Sequence, residues 1–294
     1  MTTPQINAAT AMSMFDALVT LRYQNDQKLQ GTIEERHGTK GLYTNIPISD
    51  IIELSVSYFA PSDIPVTNVD EVDIQVPTAD YRVKTVIGGG EQTLFNFDKI
   101  TVHAKLHGMA IARMNDYIKI NALFTDPLFA QIQTVPVNTG FNTGLNEGKM
   151  AAGLALLEDS SVDISNYNVS QWAPASQKAA MMADDRVVNF FYNDMKPLTD
   201  YRIQSYLGVD CRFLGSKGIN SIPYTTANGV NTYLVPMVAY DAMVQTWNRE
   251  PAMSCTWLPH QDRWELLSTM TSGAKVIQPS GIVLMACQTP FVAN

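Results

Sequence analysis

The chain has 294 residues, of which 46% are hydrophobic and 16% charged, and its formal net charge is −8. The length suits one large domain or two smaller ones, and the charged fraction lies below the roughly 25% of ordinary soluble domains. Lys and Arg are scattered singly, so the chain lacks the basic cluster that binding to nucleic acid phosphates requires. The acidic balance is interpreted as a contribution to solubility.

The N-terminal residues MTTPQINAATAMSMF lack the basic start, apolar stretch and cleavage site of a signal peptide. No apolar run approaches the roughly 18 residues that a membrane-spanning helix needs. Cys211, Cys255 and Cys287 lie far apart without CxxC spacing, which predicts reduced, mostly buried thiols.

The first predicted element is an amphipathic helix from residue 7 to about residue 30, with Asn7 as a candidate N-cap. Its apolar side chains recur at helical spacing: Ala11, Phe15, Leu18 and Leu21. This periodicity fits two arrangements, a helix packed on its own domain and an arm that lies on other subunits.

Residues 43–86 are predicted to form a long β-hairpin, with Val72, Ile74 and Val76 alternating along the second arm. The segment FAPSDIPVTN between the arms carries two prolines, which interrupt strand pairing and favour a turn. A two-stranded hairpin is marginally stable in water, and its open edges invite pairing. We therefore expect it either to fold back on its own domain or to rest on a neighbour.

Three consecutive glycines, Gly88 to Gly90, follow the hairpin. A glycine run before a helix can cradle a phosphate, but the GxxxxGK[ST] pattern is missing and Glu91 stands where a cation is needed. The run is therefore interpreted as a hinge.

The clearest helix covers residues 96–124, about 43 Å at 1.5 Å per residue. One apolar stripe comprises Ile100, Ala104, His107, Ile111, Met114 and Ile118. A second face gathers Leu106, Ala110, Tyr117, Ile120 and Phe124. Two apolar faces predict cover on several sides, and Pro127 is expected to end the helix.

The rest of the chain predicts an α/β stretch and a closing β-meander. Short helices are expected at KMAAGLALLEDS and DDRVVNFFYND, strands at NVSQWAPAS and YLGVDCRFLGS, and a strand entering a short helix at NTYLVPMVAYDAMVQTW. The last 45 residues are interpreted as three antiparallel strands, of which the all-apolar GIVLMACQ is expected to be interior.

His103 and His107 have the HxxxH spacing that can place two imidazoles on one helical face. The segment HAKLH lacks the Glu of HExxH, and Lys105 would repel a metal ion. No GxSxG motif is present, and adjacent carboxylates such as Glu34 and Glu35 point apart on a regular element. The sequence therefore predicts no catalytic residue, no metal site and no cofactor.

The order of arm, long hairpin, long helix, α/β insert and closing strands resembles the Hong Kong 97-like phage capsid fold, an α+β fold that encapsulins share. The sequence is similar to a phage capsid family over nearly its whole length. The stretches that carry the likeness are DALVTLRYQNDQKLQGTI, DDRVVNFFYNDMKPLTDYRIQSYLGVDCRFLGSKGIN, NTYLVPMVAYDAMVQTWNREP and SGAKVIQPSGIVLMACQTPFV.

The resemblance implies a division of the chain. Residues 1–40 would be an N-terminal arm and residues 41–90 an extended loop lying over the adjacent subunit. Residues 91–145 would hold the spine helix of the peripheral domain, and residues 146–250 the axial domain. Residues 251–294 would return to the peripheral domain.

The resemblance further implies a major capsid protein, not an enzyme, that assembles into hexamers and pentamers of an icosahedral head around phage DNA. Scaffolding, portal and decoration proteins are further candidate partners, with weak non-specific contact with packaged DNA and no membrane. The implied location is the virion, after synthesis in the bacterial cytoplasm. Two alternatives stay open: an encapsulin-like nanocompartment and a soluble α/β enzyme.

Candidate inter-subunit contacts lie in the arm and the loop: Phe15, Phe59, Asp63, Asp70, Arg82 and Lys84. Acidic side chains outnumber basic ones in the loop. We therefore expect the loop to pair with basic residues of a neighbouring subunit.

Overall fold

Two large β-sheets and one long helix organise the chain in a computed structural model. The structure describes residues 27–49, 71–89, 99–164, 168–184, 203–215, 219, 221–227 and 229–289. Most of the predicted arm helix, the turn of the hairpin and almost all of the segment DDRVVNFFYND lie outside the described residues.

The α-helices of the described residues are α1 (Lys99–Thr125), α2 (Glu147–Asp159) and α3 (Ala175–Met182). The first strands are β1 (Glu34–His37), β2 (Tyr43–Ser49), β3 (Glu71–Pro77), β4 (Ala79–Gly88), β5 (Gln133–Val135) and β6 (Val169–Pro174). The others are β7 (Ser205–Tyr206), β8 (Val209–Leu214), β9 (Tyr224–Ala227), β10 (Val230–Ala239), β11 (Met243–Leu258), β12 (Arg263–Val276) and β13 (Ile282–Thr289).

A four-stranded sheet with the order β1-β11-β12-β4 carries α1 across one face. The apolar stripe predicted for this helix faces the sheet. Ala104 packs with Ile87 of β4 and Leu266 of β12, and further along the helix Ile111 packs with Trp247 of β11. The stripe is therefore confirmed.

The second apolar face of α1 is covered only in part within one subunit. Ile120 is 2% exposed, whereas Leu106 is 54% exposed. A short 3-10 turn, Pro127–Gln131, follows the helix, so the predicted stop at Pro127 is confirmed. Cover on several sides is therefore only partial within one subunit.

A seven-stranded sheet forms the larger core, with the order β5-β13-β10-β6-β8-β7 and β9 paired with β10. Strand β13 lies between β5 and β10, and every residue from Ile282 to Cys287 is buried. Helix α2 packs on it, and Gly153 brings the helix axis close to Met237 and Met285. The interior position predicted for GIVLMACQ is confirmed.

The same strand departs from the predicted meander. β11 and β12 form the expected antiparallel hairpin, but β13 pairs with β10 and β5 instead of β12. A strand that is apolar on both faces needs cover on both sides. The four-stranded sheet has exposed residues such as Ala252 and Thr256, so it offers no such place. The prediction of one three-stranded meander is wrong for this reason.

A second difference concerns NTYLVPMVAYDAMVQTW. Strand β10 is the predicted buried strand, but the 3-10 turn Tyr240–Ala242 replaces the expected helix and β11 starts at Met243. Residues Val244–Trp247 find hydrogen-bonding partners in β1 on one side and β12 on the other. A short apolar run does not distinguish a helix from such a central strand.

The returning arm of the predicted hairpin splits at Thr78. Strand β3 pairs with β2, whereas β4 pairs with β12 of the four-stranded sheet. The backbones cross tightly there, because a Cβ atom on Gly273 of β12 would lie 1.9 Å from the carbonyl oxygen of Pro77. Only glycine permits this crossing.

The Asn- and Gly-rich connection before α2 is held by a buried cation. Lys149 is fully buried, and its ammonium donates hydrogen bonds to the carbonyls of Thr143, Gly144 and Ala286 at 2.7, 2.8 and 2.9 Å. Burial lowers the pKa of Lys149. These bonds join the connection, α2 and β13 into one unit.

We expect Gly273→Ala to lower the free energy of unfolding by about 3 kcal/mol, since the added carbon meets backbone that cannot rotate away. Urea unfolding of the unassembled subunit measures the change. The matched control is Gly153→Ala, whose Cβ atom would meet the Met237 side chain at an ordinary 3.4 Å. Equal stability of the two variants would contradict the tight crossing.

Candidate assembly surface

The ribbon, defined as β2 and β3, has one apolar face. The antiparallel register places Thr44 opposite Val76, Ile46 opposite Ile74, and Ile48 opposite Val72. Directly opposed residues of an antiparallel pair point to the same side of the sheet. Five of these six side chains are aliphatic, so the face is continuous along the ribbon.

This apolar face is covered at its root and uncovered farther out. Val76 is fully buried and packs with Val244 and Ile277 of the body. Val72, four residues along β3, is 64% exposed. The distance between these positions is about 13 Å at 3.3 Å per residue. The ribbon therefore leaves its own subunit with an apolar surface open to contact.

The root of the ribbon is fixed to β11. Asn248 donates a side-chain hydrogen bond to the carbonyl of Gly41 and accepts one from the Thr39 hydroxyl at 2.5 Å. The backbone N–H of Thr39 donates to the carbonyl of Trp247 at 3.2 Å. The ribbon thus starts from a defined position and direction.

The glycine run after β4 belongs to the same framework. Gly88 ends β4, and the N–H of Gly89 donates to the carbonyl of Asp262 at 2.8 Å. A Cβ atom on Gly89 would lie 2.8 Å from the ring of Trp257. Close packing accounts for glycine at 89, which gives the hinge interpretation no support there, and Gly90 lies outside the described residues.

Among the predicted contact residues, Arg82 and Lys84 are described, and both form ion pairs inside the subunit. Arg82 lies 2.8 Å from Asp80, and Lys84 lies 2.8 Å from Glu265. Hydrogen bonds from Thr271 and then Arg82 lower the pKa of Asp80. The Arg82–Asp80 pair is exposed on both sides, and exposed pairs contribute little to stability. The other predicted contacts lie outside the described residues: Phe15, Phe59, Asp63 and Asp70.

The end of the arm is bound to α1 by buried charges. The Asp116 carboxylate accepts hydrogen bonds from the backbone N–H groups of Lys28 and Leu29, both at 3.1 Å. The buried Lys119 ammonium donates to the Leu29 carbonyl and to the Glu35 carboxylate, both at 2.7 Å. Burial lowers the pKa of Lys119, and Glu35 opposes this effect. Sequence reasoning missed both helix residues, although charges inside an apolar helix were an available signal.

One member of the histidine pair, His107, has a structural role. The Nδ1 atom of His107 lies 2.7 Å from the Ser268 hydroxyl, and its Nε2 atom lies 3.0 Å from the Thr85 hydroxyl. Burial, and next the neighbouring His103, lower the pKa of His107, so the ring is neutral near pH 7. In the part of the chain that the structure describes, no three His, Cys, Asp or Glu side chains form a group suited to a metal ion.

The three cysteines are free and buried, which confirms their predicted state. Burial raises the pKa of Cys211 and of Cys287 to about 12. Burial also raises the pKa of Cys255. Neutral thiols without solvent contact are poor nucleophiles. No described helix is long and apolar enough to cross a membrane.

The architecture is that of phage capsids. The chain is similar to a structure from Microbacterium phage Oxtober96, with a TM-score of 0.64 and 10% identity over 88% of this chain and 90% of that one. It is also similar to the capsid of cyanophage P-SCSP1u, with a TM-score of 0.62 and 12% identity over 87% of this chain and 86% of that one. A third similar structure is a virus-like particle from Pyrococcus furiosus, with a TM-score of 0.58 and 12% identity over 94% of this chain and 99% of that one. These likenesses show the Hong Kong 97-like fold, so the predicted α+β class is confirmed.

The family is given by the sequence match. A model of the family described as phage capsid protein matches residues 6–289, and the chain belongs to that family. It is a structural protein of the capsid shell in the virion and not an enzyme. A search of curated proteins finds no match.

The neutral His107 predicts a loss of stability in acid. Because its folded pKa lies below the ordinary 6.5, the unfolded chain binds the proton first and stability falls as the pH drops below that value. The slope reaches up to about 1.4 kcal/mol per pH unit. We expect His107→Gln to flatten this slope in urea unfolding measured between about pH 7.5 and 5.

The exposed His260 provides the control. We expect His260→Gln to keep the slope of the parent protein. If both variants lose stability in acid as the parent does, the buried imidazole is not the cause.

Proposed function

We propose that this chain is the major capsid protein of a tailed bacteriophage and that its ribbon joins subunits into hexamers and pentamers of an icosahedral head. The observation that carries the proposal is the ribbon, whose root is fixed while Val72 on its apolar face stays 64% exposed. In a member of a capsid family, another copy of the chain is the natural cover for such a surface.

The ribbon provides a heterologous contact, in which two subunits use different surfaces. A projecting element on one subunit meets a different surface on the next, and such heterologous contacts close into rings when the rotation between subunits permits. A root held to β11 by hydrogen bonds sets the direction of the ribbon.

The two sheets suggest the division of the subunit. We assign α1 and the four-stranded sheet to the peripheral domain, and the seven-stranded sheet with α2 and α3 to the axial domain. Strand pairing favours placing β5 and β13 with the axial domain. Both strands lie in ranges that the sequence assigns to the peripheral domain, residues 91–145 and 251–294. Of the extended loop predicted at residues 41–90 we keep the ribbon, because β4 pairs within the four-stranded sheet. Of the arm predicted at residues 1–40 we assign β1 to that sheet for the same reason.

Other partners follow from the same role. Scaffolding, portal and decoration proteins are candidates, with synthesis in the bacterial cytoplasm. The net charge of −8 favours weak, non-specific contact with packaged DNA.

An encapsulin-like compartment shares the fold, so the fold alone does not separate it from a phage head. The family match favours the phage capsid. Particles isolated from an infected culture and treated with nuclease decide the matter: protected DNA of phage length supports a head, and particles filled with protein and free of DNA contradict it.

We expect Val72→Glu to reduce the yield of shells at least about tenfold, since burying one valine side chain at each contact contributes ~1.5 kcal/mol or more. The unassembled subunit should keep its stability within about 0.5 kcal/mol, because Val72 is exposed there. Negative-stain microscopy and sedimentation measure assembly, and urea unfolding measures stability.

Gln75→Glu is the matched control, because Gln75 is exposed on the opposite face of the same strand. It adds the same charge without entering the apolar face, so shell yield should stay unchanged. Equal yields from the two variants would remove the apolar face from the interface.

The acidic loop gives a separate expectation. Reversing Asp63 and Asp70 to Lys should lower shell yield, most at low salt, because charge pairing with a neighbour is screened as salt increases. Glu158→Lys on the exposed end of α2 makes the same kind of change outside the loop. Shells that form equally well with all three reversals would refute the pairing.

A further inference from the structure

A groove of about 410 Å³ runs along the C-terminal half of α1. The helix side is formed by Tyr117, Ile120 and Phe124, and the strand side by Tyr224, Thr232 and Leu234 of the β9–β10 hairpin. Its walls are mainly aromatic and aliphatic, with hydroxyl groups at the edges.

The groove is open within one subunit. Tyr224 is 53% exposed and Ile219, at the rim, is 51% exposed. Large apolar side chains grouped around a concavity mark a surface that binds another segment of protein. The groove lies on the second apolar face of α1, which the sequence predicts to be covered.

The arm enters the body beside this groove. Lys28 and Leu29 are bound to Asp116, as described above. At 100° per residue, Tyr117 and Phe124 lie roughly 80–100° around the helix from Asp116. The described chain therefore begins, at residue 27, beside the neighbouring face of the same helix. Ile120 belongs to the buried core cluster that includes Leu29, and it also lines the groove.

The length of the arm matches the distance. Residues 22–26 span at most about 17 Å, which is enough to pass from the anchored end into the groove. A helix over residues 11–21 is about 16 Å long, and the groove side of α1 from Tyr117 to Thr125 is about 12 Å long. Within that segment Ala11, Phe15 and Leu18 form one apolar face.

We propose that residues 11–21 of the same chain occupy this groove as an amphipathic helix, with Phe15 and Leu18 against α1 and the β9–β10 hairpin. Because residues 11–21 are covalently connected to the anchored residue 27, their effective concentration at the groove is high. They therefore outcompete the same segment of another subunit. The proposal goes beyond the capsid role, and it moves Phe15 from the inter-subunit contacts predicted from sequence to a contact within the subunit.

Paired cysteines test the proposal in the full-length chain, in shells isolated from cells. Leu18→Cys is combined with Asn121→Cys, an exposed position on the groove side of α1. The matched control combines Thr20→Cys with Asn121→Cys, because Thr20 lies roughly 160° around the predicted helix from Leu18. A bifunctional maleimide is the probe, and the native cysteines are buried and stay unreacted.

The expected product is a crosslink within one chain, seen as a shifted monomer band in denaturing gels, at least about tenfold more abundant for the Leu18 pair than for the Thr20 pair. Equal yields for the two pairs, or no crosslink, would overturn the proposal. A ladder of covalent oligomers would also overturn it and support the inter-subunit contact of Phe15. Microscopy of the same samples reports shell formation separately, so failure here is distinguishable from failure of the capsid assignment.

A second measurement does not depend on crosslinking geometry. Phe15→Ser should raise the rate of tryptic cleavage after Arg22 in the unassembled subunit at least about tenfold, because the segment leaves the groove more often. Asp16→Ser, on the polar face, should leave the rate unchanged. Equal rates for the two variants would count against the groove as the binding place.

Discussion

A two-stranded ribbon with one apolar face is the constraint on which the rest of this protein depends. Its root is buried against Val244 and Ile277, but the body ends before the apolar face does. Because a lone hairpin has little stability of its own, we propose that the exposed part around Val72 gains its burial from another chain. In this proposal, assembly follows from the point at which the subunit stops covering its own ribbon.

Buried charges connect the arm, α1 and the sheets within the subunit. Lys119 and Asp116 fix the end of the arm to α1, and Lys149 ties the connection before α2 to β13. Buried charges cost desolvation energy unless each is paired or hydrogen-bonded, and these are. Such groups specify one geometry at the places where arm, helix and sheets meet.

Strong local patterns were predictable from sequence, and ambiguous ones were not. The stripe of α1 and the interior strand β13 were correct because long periodic or all-apolar segments have one stable placement. The pattern of NTYLVPMVAYDAMVQTW predicts a short helix at its end, where the structure has the start of β11. The burial of that strand depends on β1, more than 200 residues earlier in the chain. Of the contact residues predicted from sequence, Arg82 and Lys84 turned out to have partners in their own subunit.

The sequence by itself determined the long helix, the ribbon and the lack of recognisable catalytic motifs, because each depends on local periodicity or residue type. Its resemblance to a phage capsid family implied the fold class. Only the tertiary structure decided which sheet receives β13, where the ribbon crosses Gly273, and which charges on α1 hold the arm. These depend on contacts between residues far apart in the chain, which a local pattern does not encode. The same reason explains why the open groove beside α1 became visible only in the folded subunit.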